Sequence, residues 1–242
     1  MKRKIELVDV FQGYFFVEKI RYKICLNDNK EHVRLWCNVF LLVVLLATCW
    51  WFFAEIYTAR SWINPQYRFY ANAISDLGAI DHHINDYIIT PDREVFSPLH
   101  NFFNIMMISQ GVIYMVFVGL LCSHKRGIFL SVSVGVGLII TGLVPSSAAN
   151  VESGLSYIHQ IGCLFPLIGG PLNTFLISKR LDFVMGKVIG IVGTICGILV
   201  PITYHLGISA IPQRIAVYSI FLGLLIIALR STRHCMLPYS KK

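Results

Sequence analysis

Asp76, His100, His159 and His205 are side chains of the kinds that hold zinc. Ser75 or Ser97, with His100 or His159 and with Asp76, supplies the kinds that make a hydrolytic triad. The spacing argues against both. No H-x-x-x-H or H-E-x-x-H sets two ligands on one helix, the His82-His83 pair falls in a loop, and no G-x-S-x-G is present. We therefore expect no metal and no cofactor, and the sequence assigns no catalytic residue. What remains is a polar stripe: in REVFSPLHNFFN, His100, Asn101 and Asn104 fall at i, i+1 and i+4, on one face of a helix.

The elements that position these residues follow from composition. The chain has 242 residues, of which 55% are hydrophobic and 14% charged, with a mean hydropathy of +0.64. A soluble domain carries about 25% charged residues, so the shortfall points to a bilayer. Six apolar runs approach the roughly 20 residues needed to cross a hydrocarbon core of about 30 Å. They cover residues 35–57, 99–122, 128–148, 157–178, 188–208 and 215–229. The expected fold is an all-α membrane protein, six transmembrane helices in a bundle. Residues 1–34 form a basic N-terminal segment, 35–230 the membrane domain and 231–242 a tail. Trp50 and Trp51 read as interfacial anchors, and Ile211-Pro212 as a very short turn between the last two spans.

Orientation follows from the basic residues. With both ends on one side, 17 of the 21 lysines and arginines lie there. The positive-inside rule then makes both termini cytoplasmic. This imprint, with attraction to anionic headgroups, accounts for the net charge of +8 without nucleic acid. The expected location is a cell membrane, the bacterial cytoplasmic membrane. The N-terminal segment does not read as a signal peptide, and its IELVDVFQGYFFVEKIRYKI stretch suits an amphipathic helix on the inner headgroups or a loose tail.

On the outer side, residues 60–97 make the longest loop, with ISDLG at 74–78. Ser75 or Asp76 can cap a short helix there, and Gly78 permits a sharp exit. Ser97, His100, Asn101 and Asn104 open the second span, His159 opens the fourth, and His205 closes the fifth. Five of the eight histidines share this side. Asp76 is expected to point toward the starts of the second and fourth spans. Glu55 is the one charge read inside the membrane.

The seven cysteines show no C-x-x-C and read as small apolar side chains. Gly186, Gly190, Gly193 and Gly197 form a close-packing stripe, used within the chain in preference to a dimer. Pro166 and Pro171 should kink or break the fourth helix.

The series YANAISDLG, REVFSPLHNFFN and GLIITGLVPSSAANVESGLSYIHQIG resembles the bacterial and archaeal membrane proteins catalogued as domain of unknown function 998. The matching positions are Ser75, Asp76, Leu77 and Gly78; Ser97, Pro98 and Asn101 or Asn104; Gly142 and Pro145; and His159. A weaker likeness to the eukaryotic DRAM-like membrane family fits the same layout. The resemblance implies a six-span fold and an outer polar site, and no reaction. His82-His83 and the long basic N-terminus depart from the pattern.

The expected function is an outward-facing polar pocket that binds a lipid headgroup, a small ligand or a membrane-protein partner. Ser75, Asp76, Ser97, His100, Asn101, Asn104, His159 and His205 are its candidate lining. The alternative is a membrane enzyme acting on a lipid-linked substrate at the outer interface, with transport third.

Overall fold

The structure is a computed structural model that describes residues 30–64, 66–81, 83–85, 93–119 and 125–236. His82, Asp86, Asp92, most of the N-terminal segment and the end of the tail lie outside the described residues. Six helices are long and apolar enough to cross a membrane: Leu35–Arg60, His100–Val118, Lys125–Leu143, Leu155–Arg180, Val184–Tyr204 and Ala210–Thr232. We number them first to sixth. Helical structure starts at Lys30 before the first and continues to Met236 after the sixth.

Small residues bring these helices together. The fifth packs on the fourth and sixth through its glycine face. A Cβ on Gly190 would run into the backbone of Phe175, and one on Gly197 into the carbonyl of Leu167. The stripe is thus used inside the chain, where close backbone approach replaces the hydrophobic drive that lipid cannot supply. The second and third helices meet the same way at Gly111 and Gly135. The first helix lies against the sixth and second. Trp51, read as an interfacial anchor, is not one. Trp51 is buried in the core, and Trp50 donates to Ser109 Oγ of the second helix at 3.0 Å.

Three boundaries differ from hydropathy. The third helix stops at Leu143, and a short helix, Ala148–Glu152, follows, its N-terminus capped by Ser147 Oγ accepting from Asn150 N at 3.1 Å. The turn before the sixth helix falls at residues 205–209, and Ile211-Pro212 sits in that helix's first turn, where proline's missing N–H has no partner to lose. The prolines of the fourth helix do not break it. A π turn, Phe165–Gly169, absorbs Pro166 by widening the ladder, and the helix continues. A second π turn, Tyr114–Val118, lies in the second helix after Ile113.

One end of the bundle is covered by the segment between the first and second helices. It contains a 3-10 turn, Ile74–Gly78, and a two-stranded antiparallel ladder, β1 (His83–Asn85) with β2 (Arg93–Val95), pairing Ile84 with Glu94. Ile80 N donates to Ser146 O at 3.0 Å and Ala148 N to Asp81 Oδ2 at 2.8 Å, tying this cover to the third–fourth connection.

Candidate functional site

The ISDLG turn is a plug held by its backbone. A one-turn helix leaves most of its amides and carbonyls without internal partners, and neighbouring helices supply them. Ser97 Oγ donates to Leu77 O at 2.6 Å, and Asn104 Nδ2 to Gly78 O at 3.0 Å. Ile74 N donates to Gln213 Oε1 of the sixth helix at 2.7 Å. A Cβ on Gly78 would overlap Asn104 Oδ1, so the side chain that holds Gly78 O would have to shift.

Asp76 closes the turn from within. Its Oδ2 accepts from Ala73 N at 2.9 Å and from Asn72 Nδ2 at 3.4 Å, and the residue is buried. The backbone of the turn thus bonds Ser97, Asn104 of the second helix and Gln213 of the sixth, while the Asp76 carboxylate, expected to point toward the second and fourth spans, bonds Asn72 and Ala73. Of the remaining candidates, His100 Nδ1 bonds Ser97 O at 2.9 Å, Asn101 is exposed, and His205 is exposed beside Tyr204. Only Asn104 of the predicted stripe faces the plug. Among the described residues no three His, Cys, Asp or Glu side chains gather into a possible metal cluster.

Next to the plug lies a buried ion pair. Arg214 Nε is 3.3 Å from Glu55 Oε1. Tyr218 Oη donates to the same carboxylate at 2.9 and 3.0 Å, and Trp51 Nε1 at 3.3 Å. Arg214 also donates to Asn72 O at 2.8 Å and to the Tyr67 hydroxyl, which itself donates to Ala73 O at 2.9 Å. Burial pushes the Tyr67 phenol well above its usual range, and the nearby Arg214 only partly opposes this. Glu55 is thus not the only charge within the six helices. Arg214 lies inside the sixth, and the pair fastens the cover to the first and sixth of these helices.

Beneath the plug is a partly open pocket whose empty space, counted together with the open space at its mouth, is about 560 Å³. Ile74 and Ser75 form part of its wall with Trp51, Met107, Leu138 and Phe221, and among the described residues no charged side chain lines it. Gln110, Thr141, Cys163 and Gln213 give it a few polar groups. Gln110 Nε2 donates to Ala47 O at 2.7 Å. Gln213 is 7% exposed and spends its Oε1 on Ile74, leaving Nε2 without a partner among the described residues. Ser75 Oγ is likewise unpaired there.

His159 belongs to this wall from behind. Its Nδ1 is 2.6 Å from Val144 O, and its Nε2 is 3.5 Å from Cys163 Sγ, one helical turn on. Thr141 Oγ1 also lies 3.5 Å from that sulfur. His159 therefore pairs with Cys163 and the end of the third helix.

Compared with known proteins, the chain matches no family model, no curated protein and no solved structure.

Sequence reasoning missed Arg214, Gln110, Gln213 and the role of Cys163. A signal existed for the last: H-x-x-x-C sets His159 and Cys163 on one helical face.

Proposed function

We propose that this chain is a multi-pass membrane protein that binds an uncharged lipid carrying a carbonyl, its chain held between the helices and its polar end under the ISDLG plug. The observation that carries the reading is the cavity: apolar, free of charge, and offering an unpaired Gln213 amide. Binding sites for small molecules are of this kind, mostly apolar with a few placed polar groups. An ionised headgroup would enter such a space without a counter-charge, at a cost of several kcal/mol. A neutral carbonyl finds donors in Gln213 Nε2 and Ser75 Oγ. Of the residues expected to bind, Ser75 keeps that role, while Asp76, Ser97 and Asn104 build the plug.

The distribution of lysine and arginine supports cytoplasmic termini, a plug on the outer side and residence in the bacterial cytoplasmic membrane. The likeness of YANAISDLG and its companion stretches to domain of unknown function 998 supports treating the turn and the start of the second helix as one unit.

The test is the melting midpoint of the detergent-purified chain with monoacylglycerol, fatty acid or lysophosphatidylglycerol. A ligand at 100 times its Kd adds about 2.7 kcal/mol. Monoacylglycerol should raise the midpoint by several degrees, and Gln213→Leu should remove the gain. Equal stabilisation by the two anionic lipids, or none by monoacylglycerol, overturns the reading.

A further inference from the structure

Cys163 and His159 have more than a packing relationship. A carbonyl oxygen can only accept, so the 2.6 Å contact with Val144 O fixes the proton of a neutral His159 on Nδ1. Nε2 then presents its lone pair to Cys163 Sγ at 3.5 Å, within hydrogen-bond reach for sulfur. Nucleophile, base and a third group that orients the base are the three parts of an activated thiol. The Thr141 hydroxyl, which donates to Gly137 O at 2.8 Å, flanks the sulfur on its other side. Cys163 lines the pocket together with Gln213, whose Nε2 has no partner among the described residues. The π turn that widens the fourth helix starts two residues later, and its Pro166 and Leu167 line the same space.

We propose that Cys163 is an acyl-accepting nucleophile, its thiol taking the acyl group of an uncharged lipid thioester held in the cavity. The inference rests on the cavity being a lipid site. Sγ attacks the carbonyl carbon, and its proton passes to His159 Nε2 as the new S–C bond forms. The donor's C–S bond then breaks, and Nε2 returns the proton to the departing sulfur. A free thiol leaves, Cys163 carries the acyl chain as a thioester, and His159 is neutral again. Gln213 Nε2 and Ser75 Oγ are the wall donors for the carbonyl oxygen.

The probe is the palmitoyl thioester of N-acetylcysteamine, which bears no charge, added to the purified chain in detergent and followed by peptide mass spectrometry. Its ketone analogue, with CH2 in place of sulfur, reports binding without reaction. We expect the ketone to raise the melting midpoint. The thioester should palmitoylate Cys163 at least about tenfold faster than Cys49 or Cys196, releasably by hydroxylamine. A general base contributes about 10²–10⁴-fold, so His159→Asn should slow labelling by about a hundredfold while keeping the ketone shift. Cys163→Ser should take no hydroxylamine-labile label at this position. If the ketone binds but Cys163 reacts no faster than Cys49 and Cys196, acyl transfer is wrong and the lipid site stands. His159→Asn labelling at the wild-type rate has the same meaning. If the ketone does not bind wild type, both ideas fall. The comparison among wild-type cysteines decides the matter even if a variant misfolds.

Discussion

Arg214, one turn into the sixth helix, sits 3.3 Å from the carboxylate of Glu55 near the end of the first, with both residues more than nine-tenths buried. The first and last of the six spans are thereby joined by opposite charges at a buried position. The contact is an ion pair more than an aligned hydrogen bond, since Arg214 Nε has no hydrogen-bond partner. The carboxylate relies equally on Tyr218 and Trp51, and the guanidinium on Asn72 O and Tyr67.

Breaking this pair from one side should be costly. Removing one partner of a buried pair typically costs about 3–5 kcal/mol, because the other charge stays behind unpaired. Glu55→Gln and Arg214→Met should each lower unfolding stability by about that much. The double variant should lose at least about 1 kcal/mol less than the sum. Chemical denaturation of the four proteins in one detergent measures the cycle, and simple additivity would mean that the pair does not interact.

Tyr67 should make the cover sensitive to alkali. Burial raises its pKa above the usual 10.0, so the protonated phenol is favoured in the folded state. Its contribution is complete below about pH 10, where the unfolded phenol begins to ionise, and is lost as pH rises further. Stability should fall by up to about 1.4 kcal/mol per pH unit above that point. Tyr67→Phe should start lower, having lost the bonds to Ala73 O and Arg214, but should fall less steeply. Equilibrium unfolding between pH 8 and pH 11 gives both slopes; equal slopes would sink the assignment.

Asp76 and His159 should act independently. Asp76 Oδ2 accepts from Asn72 and Ala73, while His159 bonds Val144 O and Cys163 Sγ. Asp76→Ala removes a turn-closing acceptor, at about 1–2 kcal/mol. Combined with His159→Gln, the losses should add to within about 0.5 kcal/mol. A coupling above about 1 kcal/mol in the melting cycle would put the two in one site.

Filling the cavity should stabilise the chain and close it to ligand. Val217 lines the space, and its replacement by phenylalanine adds volume where the wall leaves room. Cavity filling commonly gains about 0.5–2 kcal/mol. Val217→Phe should therefore melt higher than wild type without ligand and show no further rise with monoacylglycerol. A lower midpoint would mean that the space is too small to accept the ring.

The six helices and the position of ISDLG were legible because hydropathy and length suffice for them. Ser97 and Asn104 were found as polar residues in the right place, yet their role was not. A side chain that serves a backbone carbonyl and one that serves a ligand look alike in a sequence, and the unmet carbonyls of a one-turn helix leave no mark there. Arg214 was missed because Pro212 reads as a turn, which moves the helix start past the arginine. In the fold that proline belongs to the first helical turn. Cys163 was counted with the apolar thiols because its partner is recognised only when His159 is placed one turn earlier on the same face.

The two π turns have a consequence for how the helices divide their labour. An α-helix of 3.6 residues per turn advances about 100° with each residue, so one accommodated extra residue is a phase slip of that size. In the fourth helix, the slip at Phe165–Gly169 separates a half carrying His159 and Cys163 from a half in which Asn173 donates to Ser131 Oγ at 2.9 Å. Tyr114, at the start of the other slip, borders the same cavity as Pro166 and Leu167. A helix in unbroken phase has a single azimuth to offer its neighbours along its whole length. The fourth helix is set like two blades turned on one stem, so the half beside the cavity can change its side chains without re-indexing the half that Asn173 ties to the third helix.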